Sequence, residues 1–162
     1  AGNVLVDGLD VDDWNLQSLH AQVMLLREGD VMSGTIADNL RLGASGVTAG
    51  ELHAALEATG LGAVVRDLPD GLQTPLVTGG LPLTSRQRIR LLLARAVVAR
   101  PRLLLLDELL DGLDPATFER LLAVVLDRSR DWTVLVATRD ARVAQRLGRV
   151  LEPAPRLDGG GK

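Results

Sequence analysis

Arg102-Leu103-Leu104-Leu105-Leu106-Asp107-Glu108 decides the fold class. After its first residue the stretch is wholly apolar up to the acidic pair. That is the pattern of a strand covered on both faces inside a parallel sheet, not the alternation of a half-exposed strand. In an open parallel sheet, ligands collect beyond the carboxyl ends of the strands. An Asp delivered to that edge can hold a magnesium ion directly or through water, and the next Glu can orient or deprotonate an attacking water. Taken alone, the same residues also describe a strand ending in a solvated acidic turn.

Upstream, Thr84 and Gln87 have the spacing of a capping box, which predicts a helix over 85–98 that stops before Pro101. Its apolar positions Leu91, Leu92, Leu93, Val97 and Val98 read as core packing. Downstream, Asp114 can cap a helix with Pro115 at its first position, running to about Leu126. Residues 133–138 read as another buried strand, followed by a short helix from Asp140. Nearer the start, residues 3–6 read as a short strand with Asp7-Gly8 as its turn, and 20–26 as a strand entering the charged stretch Arg27-Glu28-Gly29-Asp30. Thr48 and Glu51 form a second capping box, with Gly60 where a helix C-cap belongs. A loop rich in Pro and Gly covers 68–82. No convincing buried strand lies between Ser33 and Leu81. The expectation is therefore an α/β fold with a mostly parallel sheet, a helical subdomain at about 33–100, and a disordered tail at 153–162.

The composition fits such a core. Apolar residues make up 46% of the 162 residues but aromatics only 2%, so Leu, Val and Ala must fill the interior. There is no Cys, and His20 and His53 stand far apart, which leaves no metal centre of the Cys or His type. Net charge is −3, from 18 basic and 21 acidic residues, which argues against a nucleic-acid surface and fits a soluble cytoplasmic protein. The lone Lys is Lys162, so no lysine is available inside the fold to hold a phosphate. No apolar run is long enough to span a membrane, and no signal peptide is visible. The chain opens at Ala1 without Met, and a fragment of something longer is the expectation.

The order and spacing of these segments resemble the ATP-binding cassette (ABC) proteins. Leu83-Thr84-Ser85-Arg86-Gln87, followed by Arg88, Arg90, Leu93-Ala94-Arg95-Ala96 and the Asp107-Glu108 strand, is similar to the family's signature helix and Walker B strand. Asp111-Gly112-Leu113-Asp114 resembles the D-loop. Ser33-Gly34-Thr35-Ile36-Ala37-Asp38-Asn39 and Leu68-Pro69-Asp70-Gly71-Leu72-Gln73-Thr74 resemble segments of the exporter branch, and Val6-Asp7-Gly8 the strand and turn that follow the nucleotide loop. The resemblance covers about residues 1–152. It implies ATP and Mg²⁺ as ligands, Asp107 on the magnesium side, Glu108 as catalytic base, and Leu83 to Gln87 with Asp114 facing nucleotide across a head-to-tail dimer of such domains. It also implies a transmembrane domain as partner and a place on the cytoplasmic face of a bacterial inner membrane.

Several positions depart from that pattern. No Gly-x-x-x-x-Gly-Lys-Ser/Thr loop occurs in the chain, and the resemblance puts it upstream of Asn3. Ser85 and Arg86 replace two signature glycines. Their side chains obstruct close approach of a phosphate, unless the Arg86 guanidinium binds phosphate itself. Arg139 stands at the switch-His position, where it is either a phosphate contact or a surface residue at a strand end. The Q-loop Gln aligns with Glu28 or Arg27. Glu28 can serve magnesium, and a solvated turn is the plain alternative. A coupling Glu of exporters would fall near Thr78 and is absent. The resemblance thus implies a degenerate subunit in an asymmetric exporter. The rival expectations are a non-catalytic remnant that only docks or dimerises, and a soluble ABC ATPase outside transport.

Overall fold

Three capping boxes and a proline set the positions of the main helices. The computed structural model describes residues 4–6 and 8–152, with backbone alone at 16, 17 and 20. The expected tail at 153–162, Asn3, Asp7 of the first turn and the His20 side chain therefore lie outside the described residues. β1 (Leu5–Val6) and β2 (Leu9–Asp10) form an antiparallel hairpin, and α1 (Leu16–Gln22) leads directly into β3 (Val23–Leu26). The expected strand over 20–26 is corrected here, because its first three residues are helical. The Ser18 N–H donates to Asn15 Oδ1 at 3.1 Å, a helix-starting bond that the apolar run after it obscured.

β4 (Gly34–Thr35) precedes α2 (Ile36–Arg41), and α3 (Ala49–Thr59) precedes α4 (Gly62–Asp67). Thr35 with Asp38, and Thr48 with Glu51, close reciprocal capping boxes. α3 ends at Gly60, whose φ of 73° is the left-handed value a glycine accepts without strain. β5 (Pro75–Leu76) pairs antiparallel with β4, so the expected loop over 68–82 contains a short ladder with Leu76 buried.

α5 (Ser85–Ala99) opens on the Thr84–Gln87 box, and β6 (Leu103–Asp107) follows. α6 (Pro115–Val125) is capped by Asp114, whose carboxylate accepts from the Thr117 N–H at 3.0 Å. β7 (Thr133–Ala137) and α7 (Ala141–Arg146) complete the chain. α5 packs against α2 and α3. Its Leu91, Leu92 and Leu93 join Leu26, Leu104, Leu106, Leu121 and Leu122 in one apolar core. Trp132 packs against that core and donates from Nε1 to the Val125 carbonyl.

The central sheet is parallel, in the order β3-β6-β7. One face, with Leu26, Leu104 and Leu106, is sealed. The other is not. The register aligns Leu25, Leu105 and Leu135 in one row across the three strands, and Leu25 and Leu135 are 46% and 59% exposed. β6 and β7 were expected to be buried strands. Among the described residues no element covers this second face, so both are buried on one side only.

Candidate functional site

Because the three strands are parallel and in register, with Leu26, Leu106 and Val136 level, the loops after β3, β6 and β7 leave one edge of the sheet together. Asp107 ends β6 with an exposed carboxylate. Among the described residues it has no hydrogen-bond or ion-pair partner. Glu108 then turns the chain through a left-handed φ of 52°, an uncommon and strained conformation for a residue with a side chain. Its N–H donates to the Ala137 carbonyl at 2.9 Å, which ties the turn to β7.

The Glu108 carboxylate meets the Arg139 guanidinium, with Nε 2.9 Å from Oε1. The Arg139 side chain is 86% exposed, so water screens this pair and the attraction is weak. The backbone around it is held more firmly. Asp111 accepts from the Arg139 N–H at 2.8 Å and from the Thr138 hydroxyl. Asp140 caps α7 through the Arg142 N–H at 3.0 Å and receives the Arg142 guanidinium on both oxygens. Arg142 also donates to the Leu113 carbonyl at 3.2 Å and lies over the Phe118 ring. The Arg142 side chain, then its N–H, hold the Asp140 carboxyl down to about 2. Residues 111–113 and 138–142 are thus laced together, an arrangement invisible in the sequence because each half follows a different strand.

At the start of α5, the Gln87 side chain accepts from the Thr84 N–H at 2.8 Å, and Leu83 is buried. Ser85 Oγ accepts from Arg88 at 2.8 Å. Arg86 is turned back within the chain onto Asp114 at 3.5 Å. The Thr117 N–H first, and Arg86 last among the side chains, keep the Asp114 carboxyl below its ordinary value. Glu28 pairs with Arg88 at 3.6 Å, beside α5, and Arg27 pairs with Asp30 within its own turn. Thr78 shares a hydrogen bond with Ser33 at 3.3 Å.

A magnesium ion fits this edge in one specific way. Among the described residues no group of three or more His, Asp or Glu side chains forms a closed cage. Magnesium keeps its waters and takes one or two carboxylates together with phosphate oxygens, and the unpartnered Asp107 is such a carboxylate. Glu28 is engaged by Arg88, so it fits less well.

Comparison with known proteins gives the following. No family model matches the chain. It is 36% identical over 155 residues to an uncharacterised ABC transporter ATP-binding protein of Mycobacterium tuberculosis, a match covering 93% of this chain and 26% of that protein. An ATP-dependent lipid A-core flippase of Burkholderia orbicola is 36% identical over 152 residues, 93% of this chain and 25% of the flippase. ABC transporter B family member 19 of Arabidopsis thaliana is 37% identical over 142 residues, 86% of this chain and 11% of its own length. Among solved structures, a bacterial Atm1-family ABC exporter with ATP bound superimposes with a TM-score of 0.80 at 26% identity, over 88% of this chain and 25% of the exporter. The chain spans about a quarter of the length of the first of these relatives. No helix among the described residues is long and apolar enough to cross a membrane.

Proposed function

The chain belongs to the ATP-binding cassette family, exporter type, and from that premise we propose that it is ATP-handling sequence of an exporter subunit, whose full-length protein couples ATP binding and hydrolysis to transport. The observation that carries the reading is the unpartnered Asp107 carboxylate, followed by Glu108, at the carboxyl edge of a parallel sheet. Bound Mg²⁺ would neutralise phosphate charge there. Asp107 would be its protein ligand, and Glu108 would hold the attacking water and take a proton from it. Leu83, Thr84, Ser85, Arg86 and Gln87, with Asp114, face the nucleotide of a second such domain in a head-to-tail dimer. The transmembrane partner and the cytoplasmic face of a bacterial membrane follow from the same reading, and nucleic acid is not a partner.

Two features support a weakened site. The side chains of Ser85 and Arg86 stand where the family's signature has glycines, and Arg86 is drawn onto Asp114 within the chain. The Arg139 guanidinium pairs with one carboxylate oxygen of Glu108 and competes there with water. A permanently charged Arg also cannot trade a proton as an imidazole does. The subunit therefore works largely through nucleotide binding beside a more active partner.

The experiment is magnesium-dependent ATP binding and turnover by the full-length transporter carrying this chain. Turnover is expected to be slow, to rise with Arg139→His and to vanish with Glu108→Gln. If the full-length protein binds no ATP, the chain is a docking remnant and the residue roles above fall.

A further inference from the structure

A cleft of about 610 Å³ opens between the end of α3, α4, the first turns of α5 and the start of α6. Arg86, Arg90 and Arg120 line it together with Thr117. Arg90 is fixed by two of its nitrogens, donating to the Gly60 carbonyl at 3.1 Å and to Thr117 Oγ1 at 2.8 Å. Its Nε is buried and has no acceptor, a deficit that buried polar groups rarely carry without a water or ion to relieve it. Thr117 Oγ1 accepts from Arg90, and its own hydroxyl is turned to the Asp114 carboxylate, which it helps hold below its ordinary value. Arg120 has neither ion pair nor hydrogen bond among the described residues.

The placement of Arg120 is built into the backbone. A Cβ on Gly60 would stand 2.8 Å from Arg120 Cδ, so the arginine stem crosses the glycine that caps the end of α3. Charge points the same way. Arg86, Arg90 and Arg120 share the lining with Glu57 and Asp114, and those two carboxylates already pair with Arg66, outside the lining, and with Arg86. The lining carries a surplus of one positive charge, on planar donors that suit tetrahedral oxyanions better than single acceptors do.

We propose that this cleft binds a phosphate group, held by Arg90 and Arg120, with Arg86 recruited from Asp114. The ligand is either free phosphate or the headgroup of an anionic phospholipid. The cleft is separate from the Asp107–Glu108 edge, shares Arg86 and Asp114 with the face assigned above to the nucleotide of a second domain, and has a test that does not depend on ATP turnover.

The test is calorimetric titration of the chain with inorganic phosphate, beside flotation with vesicles of phosphatidic acid in phosphatidylcholine. Saturable binding of one phosphate is expected. Loss of one charge-assisted contact in Arg120→Ala should weaken it about tenfold or more. Gly60→Ala, which displaces the Arg120 stem, should weaken it as well, whereas Arg149→Ala, outside the cleft, should not. Vesicle capture that Arg120→Ala abolishes, with a flat phosphate titration, supports the site with lipid as the source. Absence of both signals overturns the proposal. So does an equal loss in Arg149→Ala, which would reduce the binding to general charge attraction.

Discussion

Arg95→Met would test what holds the loop after β3 against the helices. Arg95 is 3% exposed. Its Nε donates to the Asn39 carbonyl at 2.8 Å, and its terminal nitrogens to Asn39 Oδ1 at 2.7 Å and the Asp30 carbonyl at 3.0 Å. Burial pushes the guanidinium below its ordinary pKa, with the nearby Asp30 charge opposing. Methionine retains most of the apolar stem and removes every donor. Asn39 Oδ1 keeps the Met32 N–H, but the Asn39 and Asp30 carbonyls lose the guanidinium. At about 1–3 kcal/mol for each of the two acceptors left without a partner, the loss should be about 2–6 kcal/mol. With a urea slope of about 2 kcal/mol/M, the unfolding midpoint should fall by roughly 1–3 M at unchanged slope. A fall below roughly 0.3 M at unchanged slope would refute the reasoning, since water would then be replacing the guanidinium at little cost.

Thr84→Ala removes the side-chain acceptor of the α5 capping box and should cost about 1 kcal/mol, read as a lower melting temperature. An unchanged melting temperature would mean that Gln87 alone satisfies that helix end. Asp140→Asn probes the latch between the loops after β6 and β7. The folded carboxyl is depressed from 3.8 to about 2, so its stabilisation is complete above the unfolded value and is lost as pH falls through the folded one. The stability difference between wild type and Asp140→Asn should stay constant from neutral pH to about 3.8 and then shrink towards 2. A difference already shrinking near neutrality would refute the assignment.

Features coded within a few residues were legible in the sequence. The Thr48–Glu51 and Thr84–Gln87 boxes, the Gly60 C-cap and the Asp114-Pro115 start each depend on neighbours three or four positions away. The Thr35–Asp38 box escaped notice because it carries Asp where Glu or Gln marks the motif. The β4–β5 ladder joins two residues to two others some forty positions on, too short to leave a periodic trace. At the site, the strand and its acidic end could be read directly, but the Glu108–Arg139 contact follows from the register of β6 and β7. Arg95 looked like one more residue of an apolar helix, because its acceptors lie 56 and 65 positions away. The arginine cleft draws on four helices, and no spacing in the chain announces it.

The open row of Leu25, Leu105 and Leu135 has a thermodynamic consequence. Each leucine moved out of water contributes about 1.5–3 kcal/mol, so a segment packed across the row would add an amount comparable to the net stability of a small domain. Such a segment and this sheet would melt as a single cooperative unit, with neither keeping its full stability alone. Without one, the hydrocarbon strip should drive concentration-dependent self-association of the chain.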